Sequence, residues 1–164
     1  MRRKEREVTD FEQIRQLLDE NQVLRIAMTG LDGYPYILPV NYCYQWQDDL
    51  IFYIHGAQRG KKITCLKENP KVAVEIDDAH QLLSGGMIPC HYSYGYRSLI
   101  GYGMAEMIED QAEKRQVLKM LLQQLVKDAL PPEMQELLPG ALACTAVIKI
   151  TIHDFTVKAH QQPS

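Results

Sequence analysis

The residues best suited to chemistry stand together in Phe52-Tyr53-Ile54-His55-Gly56-Ala57-Gln58-Arg59-Gly60-Lys61-Lys62. An apolar, strand-like run is broken by His55-Gly56-Ala57-Gln58. A short helix is predicted over 59–69, with Ile63 and Leu66 turned inward and Asn69-Pro70 as its stop. The start of a helix carries partial positive charge and free backbone N–H groups. Three cations in its first turn, Arg59, Lys61 and Lys62, are therefore misplaced by about 0.3–1 kcal/mol each unless an anion joins them. A phosphate group meets both demands, and a solvated basic turn is the bland alternative. The turn is not a P-loop, because G-x-x-x-x-G-K-[ST] is absent. His55 lies beside it and is the candidate catalytic group, as acid, base or hydrogen-bond donor, against a purely structural role.

A second candidate is Tyr94-Gly95-Tyr96-Arg97-Ser98-Leu99-Ile100-Gly101-Tyr102-Gly103. Here Arg97 and Ser98 between glycines could bring donors and bare backbone against a flat polar ligand. The same glycines could serve barrel curvature, and the tyrosines could be core or dimer contacts. Other chemistries find no handle. His80, Cys90 and His91 match no metal-ligand spacing, and Cys43, Cys65, Cys90 and Cys144 form no C-x-x-C pair. G-x-S-x-G is absent, and Glu109, Asp110 and Glu113 read as a solvated helix start rather than a carboxylate pair.

The elements that must position these residues follow from periodicity. Thr9-Asp10-Phe11-Glu12 has the form of a capping box, and Phe11, Ile14, Leu17 and Leu18 recur at helical spacing, predicting a helix over 10–20. Strands are predicted over 24–28, 34–42, 50–54, 72–76 and 91–108, with Leu31-Asp32-Gly33 as a hairpin turn. Pro35 and Pro39 place the second strand at an edge or bulge. Residues 77–89 read as a mobile loop. An amphipathic helix is predicted over 113–126, with Val117, Met120, Leu121 and Leu125 on one face, and a short helical piece through Leu138. The last strand, over 144–152, turns Cys144, Ala146, Ile148, Ile150 and Ile152 one way. Hairpin-joined strands with peripheral helices imply a mainly β, α+β domain built on an antiparallel barrel, with no interdomain linker.

Composition sets the outer bounds. With 164 residues the chain suits one domain spanning 1–164. A net charge of −3, from 18 Lys and Arg against 21 Asp and Glu, argues against nucleic acid or an anionic membrane as partner. No apolar run approaches the roughly 18–20 residues of a membrane span, and the charged Met-Arg-Arg-Lys-Glu-Arg-Glu start is no secretory signal. The cysteines read as reduced thiols packed in a cytoplasmic protein.

In order and spacing these pieces resemble the pyridoxamine 5'-phosphate oxidase-related, FMN-binding split-barrel family, and within it the nitroimidazole-resistance branch. The resemblance starts at Met1-Arg2-Arg3-Lys4 and Val8-Thr9-Asp10 and runs through Asp32-Gly33-Tyr34-Pro35-Tyr36-Ile37-Leu38-Pro39-Val40-Asn41-Tyr42. It continues in the stretch from Phe52 to Lys62, in Asn69-Pro70-Lys71-Val72 and in Tyr96-Arg97-Ser98-Leu99-Ile100-Gly101-Tyr102-Gly103. It implies a six-stranded antiparallel split barrel and a homodimer with FMN at the subunit interface. Leu38, Pro39, Val40 and Asn41 would lie along the isoalloxazine ring, and His55, Gly56 and Ala57 against ring or ribityl. Arg59, Lys61 and Lys62 would hold the phosphate; Tyr96, Arg97 and Ser98 would reach in from the neighbouring strand or subunit. The implied activity is a flavoprotein oxidoreductase acting on a small electron acceptor such as a nitroimidazole. The alternative is a non-catalytic flavin- or haem-binding dimer for storage, sensing or protection. Thr156-Val157-Lys158 stands where the family often has Thr-Gly-Lys, and no counterpart of the oxidase's substrate-binding residues near the C-terminus is recognised, so vitamin B6 oxidation is not expected.

Overall fold

The computed structural model describes residues 3–126 and 139–160. Its strands are β1 (Val23–Thr29), β2 (Pro35–Trp46), β3 (Leu50–Ala57), β4 (Lys71–Asp78), β5 (Leu82–Leu83), β6 (Ser93–Tyr94), β7 (Tyr96–Met107) and β8 (Thr145–His160). Its α-helices are α1 (Phe11–Glu20), α2 (Lys61–Glu68), α3 (Gln111–Val126) and α4 (Pro139–Cys144). Six strands close an antiparallel barrel in the order β1-β2-β3-β8-β7-β4, as the hairpin reading required, while β5 and β6 pair with each other. The helical piece expected through Leu138 lies outside the described residues.

Alternation drives the closure. Leu24, Ile26, Val72, Val74, Ile76 and Leu99 point inward from successive strands and are nearly free of solvent, with Phe52, Ile148 and Ile150 completing the core. Inward positions on β7 are small at Gly101 and Gly103. A side chain at Gly101 would press on Ile152 and Val74 of the flanking strands β8 and β4, so the bare backbone there lets those residues fill the barrel. α1 closes one end through Ile14, Leu17 and Leu18. Its cap is Asp10, whose carboxylate accepts from the Gln13 backbone N–H at 2.9 Å, rather than the Thr9 hydroxyl of the expected capping box. α3 lies outside the barrel, its Val117 and Leu121 joining Cys43, Tyr53, Ile108 and Val147 in a second cluster.

Several boundaries differ from the sequence reading. β3 continues through His55 and Gly56 to Ala57, because β8 supplies a partner as far as Thr145. β8 runs on to His160 rather than stopping at Ile152. The β7–β8 register jumps between Tyr102 and Gly103, leaving His153 as an extra residue, and inward burial passes from Ile152 to Val157. Cys144 ends α4 and is exposed, so it does not share the buried face of Ala146, Ile148, Ile150 and Ile152. The stretch read as a loop over 77–89 holds the end of β4, the strand β5 and the start of a 3-10 turn, Pro89–His91. Of the four thiols, Cys43 and Cys65 are buried as expected, whereas Cys90 is exposed like Cys144.

Candidate cofactor site

The barrel opens along one seam. Residues 35–41 of β2 pair only with β1, and residues 42–46 turn to β3. On β3, residues 50–54 are paired on both sides, whereas residues 55–57 pair only with β8. The two strands therefore part beyond Tyr42 and Ile54 and leave facing edges. Pro35 and Pro39 fall on the parted half of β2, where a missing N–H disrupts no β2–β3 ladder. The prolines thus mark an edge. Along it Tyr36, Leu38 and Val40 are half-buried and packed against the core, while Ile37, Pro39 and Asn41 are exposed. Asn41 donates from Nδ2 to the Gln22 carbonyl at 3.0 Å.

The start of α2 stands against this seam. Gly60 is the N-cap at φ 123° and ψ 174°, a conformation that glycine alone adopts without strain, and no side chain caps the first turn. The helix begins at Lys61, two residues later than predicted, so Arg59 lies in the turn before it. Lys61 Nζ sits 3.5 Å from Asp32 Oδ2 and 4.9 Å above the Tyr36 ring centroid. Lys62 donates from Nζ to the His55 carbonyl at 3.4 Å. It lies across Gly56, where a Cβ would come within 2.6 Å of its ammonium nitrogen. The β1–β2 turn, the parted edge of β2, the end of β3 and the basic turn are thus one locus. Asp32 is the residue that sequence reasoning missed; it read only as hairpin chemistry, and no local signal tied it to Lys61.

The electrostatics favour an added anion. His55 is exposed at the end of β3, yet the protein beside it still pushes its pKa down by desolvation and the Lys62 ammonium pushes it further, so the imidazole is neutral at pH 7. Burial lowers the Lys62 pKa as well. Asp32 stays ionised, held down chiefly by the Tyr34 backbone N–H, then by its own backbone N–H and by Lys61. A guanidinium, two ammonium groups and an uncapped helix start outnumber that one carboxylate. This donor set fits a phosphate ester carrying two negative charges.

Tyr96, Arg97 and Ser98 belong to a different cluster. Arg97 donates from Nε to Asp78 Oδ1 at 2.9 Å, and from Nη2 to Asp78 Oδ2 at 2.5 Å and Glu20 Oε2 at 2.6 Å. Asn21 adds a 2.8 Å bond to Asp78 Oδ2. Arg6 donates to the Tyr96 hydroxyl at 3.4 Å, and Ser98 pairs in register with Asp77 and Lys158. No hydrogen bond, ion pair or ring contact among the described residues joins this cluster to the basic turn. His55 and Arg97 face β8 at Val147 and Ala159, twelve positions apart. Beside Tyr96, at 6.0 Å between ring centroids, His160 keeps a buried Nδ1 with no hydrogen-bond partner. Among the described residues no group of three or more His, Cys, Asp or Glu is placed to hold a metal, and no helix is long and apolar enough to cross a membrane.

Comparison with known proteins agrees with this architecture. The family model for pyridoxamine 5'-phosphate oxidase matches residues 10–159. No curated protein matches the chain. Among solved structures, a candidate 5-nitroimidazole antibiotic resistance protein from Bacteroides thetaiotaomicron is 26% identical, with a TM-score of 0.77 over 93% of this chain and 86% of that one. The flavocytochrome Anf3 of Azotobacter vinelandii is 21% identical, with a TM-score of 0.82 over 99% of this chain and 73% of that one. An FAD- and heme-binding protein from Mycobacterium smegmatis is 23% identical, with a TM-score of 0.79 over 97% and 76%. The last two likenesses carry the fold alone. With its barrel and a match over nearly its whole length, the chain belongs to the pyridoxamine 5'-phosphate oxidase family.

Proposed function

We propose that this chain is an FMN-dependent oxidoreductase that passes electrons to a small, electron-poor acceptor, nitroimidazole-type nitro compounds among them. The observation that carries the reading is the uncapped, basic start of α2 set against the parted edges of β2 and β3. Arg59, Lys61 and Lys62 hold the phosphate there. Leu38, Pro39, Val40 and Asn41 border the isoalloxazine ring, and His55, Gly56 and Ala57 approach from the β3 edge. Among the described residues no hydrogen bond, ion pair or ring contact ties Tyr96, Arg97 and Ser98 to this locus, and we assign their contribution to a flavin to a second copy, in a homodimer with the site between subunits. Family membership and the likeness to the Bacteroides protein support the choice of cofactor and of acceptor.

Bound FMN supplies reversible electron and hydride transfer; the chain supplies binding, orientation and electrostatics. Neutral His55 offers an N–H donor at the seam, and its imidazole gains basicity once an anion offsets Lys62. Asp32 sets how much of the Lys61 charge reaches the phosphate.

An absorbance spectrum of the purified protein, with mass identification of any released chromophore and turnover of a nitro compound under a supplied reductant, tests the reading. Flavin bands at about one FMN per chain, with turnover, are expected. Stoichiometric FMN without turnover across several acceptors and donors would replace the enzyme with a binding module. A haem Soret band without flavin would replace the cofactor.

A further inference from the structure

Among the described residues, all but two of the large apolar side chains left exposed, Phe11 and Val126, lie on one surface. It runs from the β1–β2 turn over the outer wall of β2, β1, β4 and β7 to the β5–β6 hairpin, which joins β4 to β7. The strand registers align Ile37, Ala27, Ala73 and Tyr102 as one row across that wall, bulky at both ends and small in the middle. Ile100 and Met104 flank Tyr102 on β7, and all three are exposed. Beside the Tyr102 ring, which is 58% exposed, the two alanines leave a hollow of about 270 Å³ bordered also by Thr29 and Lys71. A projecting ring and an apolar hollow thus stand on the same face, which is what an isologous contact between two copies of one chain requires. The wall's charges are mixed in sign, Arg25 pairing with Glu75 and Asp77, so like charge does not keep two copies apart.

Size points to the same occupant. Four strands about 4.8 Å apart, each offering seven residues of about 3.4 Å, give the wall roughly 450 Å². A stable dimer buries about 800 Å² per partner, so the wall alone is too small. The hairpin enlarges it. Residues 79–95 hold no Asp, Glu, Lys or Arg in a chain that is 24% charged, and Leu82, Met87, Ile88, Tyr92 and Tyr94 are exposed there. The Gly95 N–H donates to the Gln81 carbonyl at 2.6 Å and the Tyr92 hydroxyl to the Gly86 carbonyl at 3.2 Å, so a folded element displays these side chains. Apolar surface of that extent marks a contact site.

We propose that a second copy of the chain docks on this surface, the Tyr102 ring of each protomer seated in the hollow over Ala27 and Ala73 of its partner, with the two hairpins extending the contact. The inference rests on the homodimer reading above, names the surface through which that dimer forms, and needs no flavin. Tyr96, Arg97 and Ser98 stand between the hairpin and Ile100 on β7, so the docked wall carries them towards the partner.

Sedimentation velocity of the full chain over a range of concentrations, with and without FMN, tests this. Wild type is expected to sediment at twice its 18.9 kDa in either case. Tyr102→Asp and Ala73→Arg, each placing a charge in the contact, should weaken the dimer by at least about thirtyfold. Gln116→Asp, on the exposed face of α3, should leave it unchanged. Hydroxyl-radical footprinting of wild type gives the same answer without a variant that must fold. Tyr102 and Met104 should resist oxidation, whereas Phe11, less exposed than Tyr102 in the single chain, should react. A monomeric wild type, a dimer that withstands both wall substitutions, or free oxidation of Tyr102 would overturn the proposal. FMN titration of the same samples separates it from the cofactor reading. A dimer without FMN uptake would sink the cofactor and leave the surface standing, whereas an FMN-loaded monomer would sink the surface.

Discussion

Lys61 divides its charge between the Asp32 carboxylate and the Tyr36 ring, and this sharing limits what it can offer a phosphate. Both Lys61 and Asp32 are about half exposed, so solvent screens the attraction between them. Asp32→Ala should therefore tighten FMN by about two- to fivefold while leaving riboflavin nearly unchanged, as read by fluorescence titration. His55 carries a pH prediction whose sign follows from its depressed pKa. Below the ordinary value of 6.5 the unfolded chain binds a proton that the folded chain resists, so wild type loses stability as pH falls through that region. His55→Gln should lose less over the same fall, measured by urea unfolding between pH 7.5 and 5.5; parallel curves would show that His55 pays no such penalty. At this scale the sequence disclosed Arg59, Lys61 and Lys62 because misplaced charge at a helix start is a local property. Asp32 stayed hidden because its pairing with Lys61 spans 29 positions and depends on how the β1–β2 turn folds back onto α2.

At the scale of elements, Gly60 fixes the entry to α2. Its φ of 123° lies where a side chain is strained, so Gly60→Ala should cost about 1–3 kcal/mol in denaturant unfolding and weaken FMN by tilting the first turn. Gly103→Ala should destabilise through another route, since a Cβ there would collide with the Thr151 carbonyl at the register jump. A free energy of unfolding unchanged by that substitution would mean the jump is absent in solution. Strands that alternate without interruption, β1 and β4, were legible from periodicity, and so was the inward face of the first half of β8, although Val147 is also buried, on the side covered by α3. The second half of β8 was not, because the extra residue at His153 reverses which side faces the core, and the repeat of two breaks there. The end of β3 was misread for a different reason. His55-Gly56 has turn chemistry, and only the long-range pairing with Val147 and Ala146 keeps it extended.

Over the whole molecule, Arg97 ties three distant segments together: the end of α1 through Glu20, β4 through Asp78, and its own β7. Arg97 and Asp78 are each about four-fifths buried, so Arg97→Met, which leaves Asp78 with Asn21 alone, should cost about 1–3 kcal/mol in chemical denaturation. The same substitution weakens FMN only if a second copy brings Arg97 to the flavin, so the ratio of the two losses reports on the homodimer. Barrel closure was legible as a class, from hairpin spacing and alternation. The parting of β2 and β3 was only hinted at by Pro35 and Pro39, because it is set by which partner each half-strand finds. FMN binding by this chain stands or falls with the start of α2 as a phosphate cradle. Its most direct test is parallel titration of wild type and the Lys61→Ala, Lys62→Ala double variant with FMN and with riboflavin. Wild type should prefer FMN strongly and the variant should lose that preference, with riboflavin affinity little changed. Equal losses for both ligands, or no FMN uptake by wild type, would contradict it.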